Sequence, residues 1–182
     1  NIVSLAKMLG YTPSSPRAPK ASINLVVNNG TGTSITMAKG TVFNSSVSDS
    51  TYQYITNEDI TTTPANGVYT FSDVTLYEGT LVKFKYTVDE TDVDQRFIIP
   101  SANADTSTLK ITVQNSATDT TSNTYSLSSG YSGVKADSKV YFIQEGSDGK
   151  FQVYFGDGVT GNKLVDGNIV ILEYIVTNKT DS

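Results

Sequence analysis

The chain has 182 residues, of which 37% are hydrophobic and 17% are charged, and its formal net charge at pH 7 is −5. This length suits one large domain or two small ones. The apolar and aromatic content is too high for a disordered chain. The 13 lysines and arginines form no basic run. A nucleic-acid binder needs a basic face, so we expect no nucleic-acid partner.

Cysteine and histidine are both absent. Without cysteine there is no disulfide framework and no thiolate metal site. Histidine is the usual general base near neutral pH and the commonest metal ligand. Its absence excludes a Ser-His-Asp hydrolase and histidine-bound zinc. No apolar run approaches the ~20 residues that span a bilayer, so we expect no membrane insertion.

The first predicted element is a short helix over Ile2–Gly10, in which apolar residues recur at helical spacing before a terminal glycine. Tyr11–Pro19 follows, and its three prolines predict an extended strap. So short an isolated helix cannot bury all its apolar side chains, so we expect Leu5, Met8 and Tyr11 to lie in an interface. The sequence begins without Met and inside a helical pattern, and we therefore expect an internal or C-terminal fragment of a longer protein.

From residue 21 the apolar period changes from 3.6 to 2, which predicts strands. In the first strand Ile23, Leu25 and Val27 should face the core, and Ser34–Met37 is predicted as its hairpin partner. Asn44–Ser50 is predicted as a polar loop. Further strands are predicted over 41–43, 52–56, 68–71, 74–76, 80–88, 95–100, 108–113, 125–127, 140–143, 151–155 and 168–177.

Two of these strands carry a more specific expectation. Val82, Phe84, Tyr86 and Val88 alternate with polar residues and should face the core. The long apolar run Asn168–Thr177 should be a central strand that is covered on both faces.

The fold class that follows is mainly β, with antiparallel β-sandwich-like domains, one short N-terminal helix and a proline-rich strap. The expected organisation has three parts. Residues 1–20 form the helix and strap, residues 21–100 form a β-sandwich-like domain, and residues 101–182 form a second β-rich domain.

The densest acidic segment is Asp89–Asp94, with four carboxylates in six residues. Oxygen ligands suit Ca²⁺, but the spacing lacks the glycine and the final glutamate of an EF-hand loop. A solvated turn between two strands is therefore the favoured interpretation.

A glycine-rich block over Phe155–Lys163 superficially resembles a phosphate-binding loop. The Walker pattern needs Gly-Lys-Ser/Thr opening a helix, whereas Lys163 leads into another turn. The block is therefore predicted to be a shaped turn with glycines at positive φ, in which Asp157 bonds backbone amides. The candidate turn residues are Gly156, Asp157, Gly158, Gly161 and Gly167.

Three stretches together resemble the baseplate wedge subunit of large contractile-tailed phages, of the baseplate J-like family. They are Asn1–Pro19, Gln95–Val113 and Val140–Thr177, and they follow the family order. The third is the most specific. It has an aromatic strand, then Phe-Gly-Asp-Gly, Gly-Asn-Lys-Leu and Asp-Gly-Asn, and finally a long apolar strand.

The resemblance implies a structural role without catalysis, and no catalytic residue, cofactor, metal or small-molecule substrate is expected. The implied partners are other copies of the same protein and neighbouring wedge proteins around the tail hub, rearranging on sheath contraction. The implied location is the tail baseplate of the virion, assembled in the host cytoplasm.

Two alternatives belong to other classes of function. A carbohydrate-binding or adhesive β-sandwich module would explain the Thr, Ser, Asn and Tyr content, but it does not explain the Phe-Gly-Asp-Gly block. A cell-wall hydrolase could use a carboxylate pair, but nothing singles one out among the 18 acidic residues.

Overall fold

The computed structural model describes residues 14–28, 30–146 and 148–178. Regular structure in these ranges is entirely β, which confirms the mainly β prediction. The predicted helix over Ile2–Gly10 lies outside the described residues. The strands are β1 (Lys20–Asn28), β2 (Ile35–Met37), β3 (Val42–Val47), β4 (Ser50–Thr56), β5 (Ile60–Thr62), β6 (Val68–Glu78), β7 (Thr80–Thr87), β8 (Phe97–Ile98), β9 (Ala104–Gln114), β10 (Ser122–Leu127), β11 (Val140–Glu145), β12 (Phe151–Phe155) and β13 (Ile169–Val176).

The first half of the chain forms a four-stranded antiparallel sheet in the order β1-β6-β4-β3, together with a β2-β5 ribbon. In β1 the residues alternate between half-buried and exposed, as the period of 2 predicted. The inward side chains of the sheet and the ribbon enclose one small core around Met37, Phe71, Val74 and Leu76. The ribbon therefore closes the concave side of a curled sheet, which resembles half of a barrel.

Two predictions for this half were wrong. The segment Ser34–Met37 does not pair with β1, because β2 pairs with β5, and the Thr36 and Thr61 hydroxyls lie 2.7 Å apart across that pair. The predicted polar loop Asn44–Ser50 instead contains most of β3, the tight turn of the β3-β4 hairpin and the first residue of β4. β3 lies at the edge of its sheet with Asn44, Ser45 and Ser46 exposed, so its polarity reflects contact with water and not a loop.

The second sheet has seven strands in the order β7-β13-β9-β10-β11-β12-β8. All seven strands, or the residues directly beside them, contribute to a single core that includes Ile99, Ile111, Val153 and Leu172, each fully buried. The two end strands also approach each other, because the Tyr86 hydroxyl on β7 donates to the Ile98 carbonyl on β8 at 2.6 Å. A sheet that wraps its own core and nearly joins its ends is close to a barrel.

The structure thus differs from the predicted antiparallel sandwich, because the seven-stranded sheet curls into a near-barrel and one of its strand pairs is parallel. β10 and β11 are parallel, with Ser126 opposite Val140 and Leu127 opposite Tyr141. Parallel neighbours need a connection that returns the chain to the same end, and residues 128–139 provide it. The other strand pairs in the described residues are antiparallel.

β13 is central, as predicted, since it pairs with β7 on one side and β9 on the other. Five of its eight residues are buried, including Leu172 and Tyr174. The prediction for Phe84 on β7 was wrong, because its side chain is 38% exposed. β7 is an end strand, and Phe84 lies where the near-barrel remains open.

The two sheets join at Gly79, the single residue between β6 and β7. Its φ is 133°, and a Cβ there would overlap the Val176 carbonyl. A cluster of Ala18, Ile55 and Ile175 fills the space beside this joint, with Tyr77 and Leu81 packed on it. Strand β7 pairs with β13 and strand β8 pairs with β12, so both pair with strands beyond residue 100. The domain division at residue 100 stays a prediction.

Candidate functional site: the glycine turn and two charged grooves

The glycine turn, defined here as residues 155–163, leaves β12 and crosses the rim of the near-barrel. Gly158 and Gly161 have φ of 90° and 91°, and the Gly158 amide donates to the Gly161 carbonyl at 3.0 Å. Gly156 matters for a different reason. A Cβ at Gly156 would overlap the backbone of Gly161, so the backbones of the two segments of the turn are in contact at this point.

Asp157 holds the turn from within. Its Oδ1 accepts the amides of Val159 at 2.9 Å and Thr160 at 2.8 Å. The hydrogen bonds from Thr160 and Val159 hold the pKa of this exposed carboxyl below its ordinary value. Asp157 is therefore ionised at neutral pH and contributes a negative charge beside the turn.

The turn is anchored to the long connection between β10 and β11. The Gly161 amide donates to Lys135 O at 3.0 Å, and the Asn162 amide donates to Ser138 O at 2.8 Å. The Tyr125 hydroxyl donates to Asn162 Oδ1 at 2.6 Å. These contacts give the turn one fixed shape.

The structure brings together four of the five predicted turn residues and separates the fifth. Gly167, with φ of 77°, lies in a second turn, and the Gly167 amide donates to Val88 O at 3.1 Å. The three candidate interface residues Leu5, Met8 and Tyr11 lie outside the described residues.

Beside the glycine turn lies the first groove, which we call the acidic cleft, with a volume of about 410 Å³. Buried Phe97 and Leu164 are part of its apolar floor, with Val88 and Phe155. Its charged lining has four carboxylates and two cations, namely Asp89, Glu90, Asp92, Asp157, Arg96 and Lys163.

The acidic segment Asp89–Asp94 forms one wall of this cleft as a compact turn. Asp89 Oδ1 accepts the Thr91 amide at 2.9 Å and its hydroxyl at 2.6 Å, and these bonds lower the pKa of Asp89. Asp92 Oδ1 accepts the Asp94 amide at 3.3 Å. Within the described ranges no group of three or more carboxylates converges to hold a metal ion. The carboxylates of Asp89 and Asp92 bond amides of their own turn and so shape it.

A set of aromatic rings lies on the other side of Phe155. Tyr154 stacks on Phe142 with ring centroids 5.2 Å apart, and the Arg96 guanidinium lies 4.6 Å from the Tyr154 centroid. The Tyr131 and Tyr154 hydroxyls are 3.3 Å apart. Burial and the contact with Tyr131 raise the pKa of Tyr154 to about 12, so this phenol stays neutral near physiological pH.

The second groove, which we call the lysine groove, lies on the outer face of β7, β13, β9 and β10. Strand register sets Glu173 opposite Lys83 on one side and opposite Lys110 on the other. Lys39, from the turn after β2, donates to both Glu173 oxygens at 2.8 and 2.9 Å. The groove has a volume of about 510 Å³.

Among the described residues, Glu173 is the one acid that lines this groove. Burial alone would raise its pKa, but the hydrogen bond and charge of Lys39, with Lys83 Nζ at 3.4 Å, leave the pKa below the ordinary glutamate value. The lone acid in the apolar run Asn168–Thr177 is the sequence signal that could have indicated an ion pair. Nothing in the sequence points to Lys39, which lies 134 residues away.

The described part of the strap, residues 14–19, is fastened to the start of β9. Asp105 is fully buried and accepts the Ala18 amide at 3.0 Å and Arg17 Nη1 at 3.3 Å. The Ser15 hydroxyl, which is also buried, lies 2.8 Å from the Thr106 hydroxyl. Residues 14–19 are thus fixed against the start of β9.

No helix within the described residues has the length and apolar character to cross a membrane. No protein-family model matches the chain. What these sites define is a β protein with surface grooves shaped by turns and ion pairs.

A relative was found among known phage proteins. The chain is similar to "Baseplate wedge protein gp6" of Enterobacteria phage T4, with 23% identity over 201 aligned residues. The alignment covers 100% of this chain and 29% of that protein, so the chain spans less than a third of the relative's length. This similarity supports a baseplate-related relationship and does not favour the carbohydrate-binding alternative.

Proposed function

We propose that this chain is a structural part of a contractile-tail baseplate wedge, of the baseplate J-like kind, and that it works by protein–protein assembly. The observation that carries the proposal is the similarity to a baseplate wedge protein along the full length of the chain. The arrangement around the glycine turn supports it, because Asp157, Gly156 and Gly161 serve to hold a turn in shape and to present the acidic cleft beside it.

The proposed partners are copies of the same protein and neighbouring wedge proteins around the tail hub, with rearrangement when the sheath contracts. The proposed place is the tail baseplate of the virion, after assembly in the host cytoplasm. The proposal includes no catalytic step. Leu5, Met8 and Tyr11 remain proposed interface residues.

Co-assembly tests this proposal. We further propose that the chain is an internal or C-terminal part of a longer parent protein. That parent is mixed with the other wedge proteins of the same phage, and the mass of the products is measured by light scattering. We expect defined complexes that include the parent. Saccharide binding by a parent that joins no baseplate protein would contradict the proposal and favour an adhesive module.

A second arm of the experiment concerns activity. Purified parent protein is incubated with peptidoglycan, and release of soluble fragments is followed over time. We expect no turnover above a heat-denatured control. Sustained hydrolysis would contradict the non-enzymatic part of the proposal.

A further inference from the structure

We propose that the lysine groove of one copy docks against the acidic cleft of the next copy, as a head-to-tail contact between identical chains. This inference rests on the proposed function and names the surfaces through which copies would assemble. The charges, the apolar lining and the separate positions of the two grooves support it.

The lysine groove concentrates positive charge in a chain whose net charge is −5. Lys39 and Lys83 share the single carboxylate of Glu173, and Lys110 donates to a neutral carbonyl, Asn57 O, at 2.6 Å. Lys85 follows Lys83 by two residues on the same strand face and is also exposed. Three lysines therefore line the groove with one carboxylate, and Lys85 adds a fourth positive charge next along β7, which leaves this face positive.

The acidic cleft carries the opposite charge. Four carboxylates oppose two cations in its lining. Its buried apolar floor also suits the aliphatic stems of lysines, which can lie along apolar surface while the ammonium groups remain at the rim. A lysine-bearing surface thus matches both the rim and the floor of this cleft.

Both grooves also expose apolar side chains. Val93, in the acidic wall, is 92% exposed, and Leu127, in the lysine groove, is 56% exposed. Burial of such side chains is favourable, whereas exposed ion pairs alone contribute little. Charge would then set the orientation of the contact, and these side chains would add to its strength.

The two grooves occupy different parts of the molecule. The acidic cleft begins at Val88, just past the end of β7, while Lys83 and Lys85 lie within β7 and Lys39 lies on the turn after β2. A contact between two different surfaces is heterologous, so in a pair one copy keeps a free acidic cleft and the other keeps a free lysine groove. Such contacts repeat, and they form a ring when the rotation between copies closes.

The test uses charge reversal on each surface in this chain as it stands. The cleft variant carries Glu90→Lys and Asp92→Lys, and the lysine variant carries Lys85→Glu and Lys110→Glu. The lysine variant keeps Lys39, Lys83 and Glu173, so the ion pairs of the buried Glu173 carboxylate remain. Circular dichroism and thermal unfolding confirm that each variant is folded.

Self-association is measured by sedimentation over a concentration series at two salt concentrations. We expect the wild type to associate, and to do so less at high salt, because the charges are exposed. Each variant alone should associate more weakly, by about tenfold. Mixing the two variants should restore association, since intact grooves then meet and the reversed surfaces also carry opposite charges.

Matched controls carry the same change in net charge elsewhere. Asp49→Lys with Asp137→Lys matches the cleft variant, and Lys20→Glu with Lys150→Glu matches the lysine variant, and all four positions lie outside both grooves. We expect the controls to associate like the wild type. Equal weakening by the controls, or no recovery on mixing, would overturn the proposal.

Two further outcomes separate this inference from the proposed function. A chain that stays monomeric at every concentration and salt, while its parent still joins other wedge proteins, overturns the head-to-tail contact and leaves the function standing. Capture of an acidic segment of a different wedge protein by the lysine groove overturns the head-to-tail contact in the same way. A parent that joins nothing overturns both.

Discussion

Gly156 shows how one missing side chain can determine a local structure. Its backbone lies against that of Gly161, and the space that a Cβ would need is already occupied by backbone atoms. Backbone cannot move aside as the end of a long side chain can. The closeness of the two segments, and with it the shape of the cleft wall, therefore depends on glycine at this position.

We predict that Gly156→Ala destabilises the protein by about 1–3 kcal/mol, the usual range for forcing extra volume into a packed site. Urea denaturation measures the difference. The matched control is Gly130→Ala, where an added Cβ meets nothing within 4 Å. That change should stay within about 0.5 kcal/mol of the wild type. Similar losses at both positions would show that the contact with Gly161 is not the cause.

Glu173 is a second residue with a measurable signature. Lys39 and Lys83 outweigh burial and hold its folded pKa below the ordinary value of 4.5. A lowered folded pKa means that the ionised form is preferred in the folded state. Its contribution to stability is present above the ordinary pKa and is lost as the pH falls through the folded pKa.

We therefore predict that Glu173→Gln costs about 1–3 kcal/mol at neutral pH, as expected for hydrogen bonds to a charged group. The gap from the wild type should narrow as the pH drops below 4.5. Urea denaturation at a series of pH values measures this gap. The exposed Glu58→Gln is the control, with little effect at neutral pH. A gap for Glu173→Gln that does not narrow as the pH falls well below 4.5 would contradict this account.

At the scale of elements, the strap depends on a carboxylate from another strand. Asp105 accepts hydrogen bonds from the Ala18 amide and Arg17, and it also accepts the Ser107 amide at 2.9 Å within its own strand. A buried carboxylate is stable only when such donors surround it. The strap and the start of β9 therefore hold each other in place.

We predict that Asp105→Asn loosens the strap, because an amide nitrogen would replace one acceptor oxygen and leave a buried donor unpaired. Trypsin should then cleave after Arg17 faster than in the wild type, and mass spectrometry of early products measures this. Asp119→Asn, in an exposed loop, is the control and should leave cleavage unchanged. Equal rates of cleavage after Arg17 in Asp105→Asn and the wild type would contradict the proposal that Asp105 holds the strap in place.

The elements also show what local pattern can predict. Alternation predicted β1 with its inward face and the strand over 108–113 within β9, because a strand with one covered side shows apolar residues at every second position. Residues 44–47 of β3 were missed, because polar residues on an edge strand look like a loop. Phe84 was misplaced, because alternation cannot show that a barrel stays open at that strand.

At the scale of the whole molecule, sequence reasoning reached the class of fold but not its assembly. The glycine turn could be anticipated, since glycines and an aspartate at short spacing shape a local loop. The grooves could not be anticipated. Glu173 meets Lys39 across 134 residues, and the Asp105 contact with the strap spans 87 residues. Such pairs follow from strand order, and no local pattern determines strand order.

Gly79 gives the molecule a mechanical property. The chain passes from one sheet to the other through this single residue, and beside it the buried Thr177 hydroxyl donates to Glu78 Oε2 at 2.8 Å. Ala18, Ile55 and Ile175 pack in the same place. A flexible linker would let the sheets swing apart, whereas a strand crossing a packed joint carries tension and torque directly. Force applied to one sheet would therefore be transmitted to the other sheet with little change in the angle or distance between them.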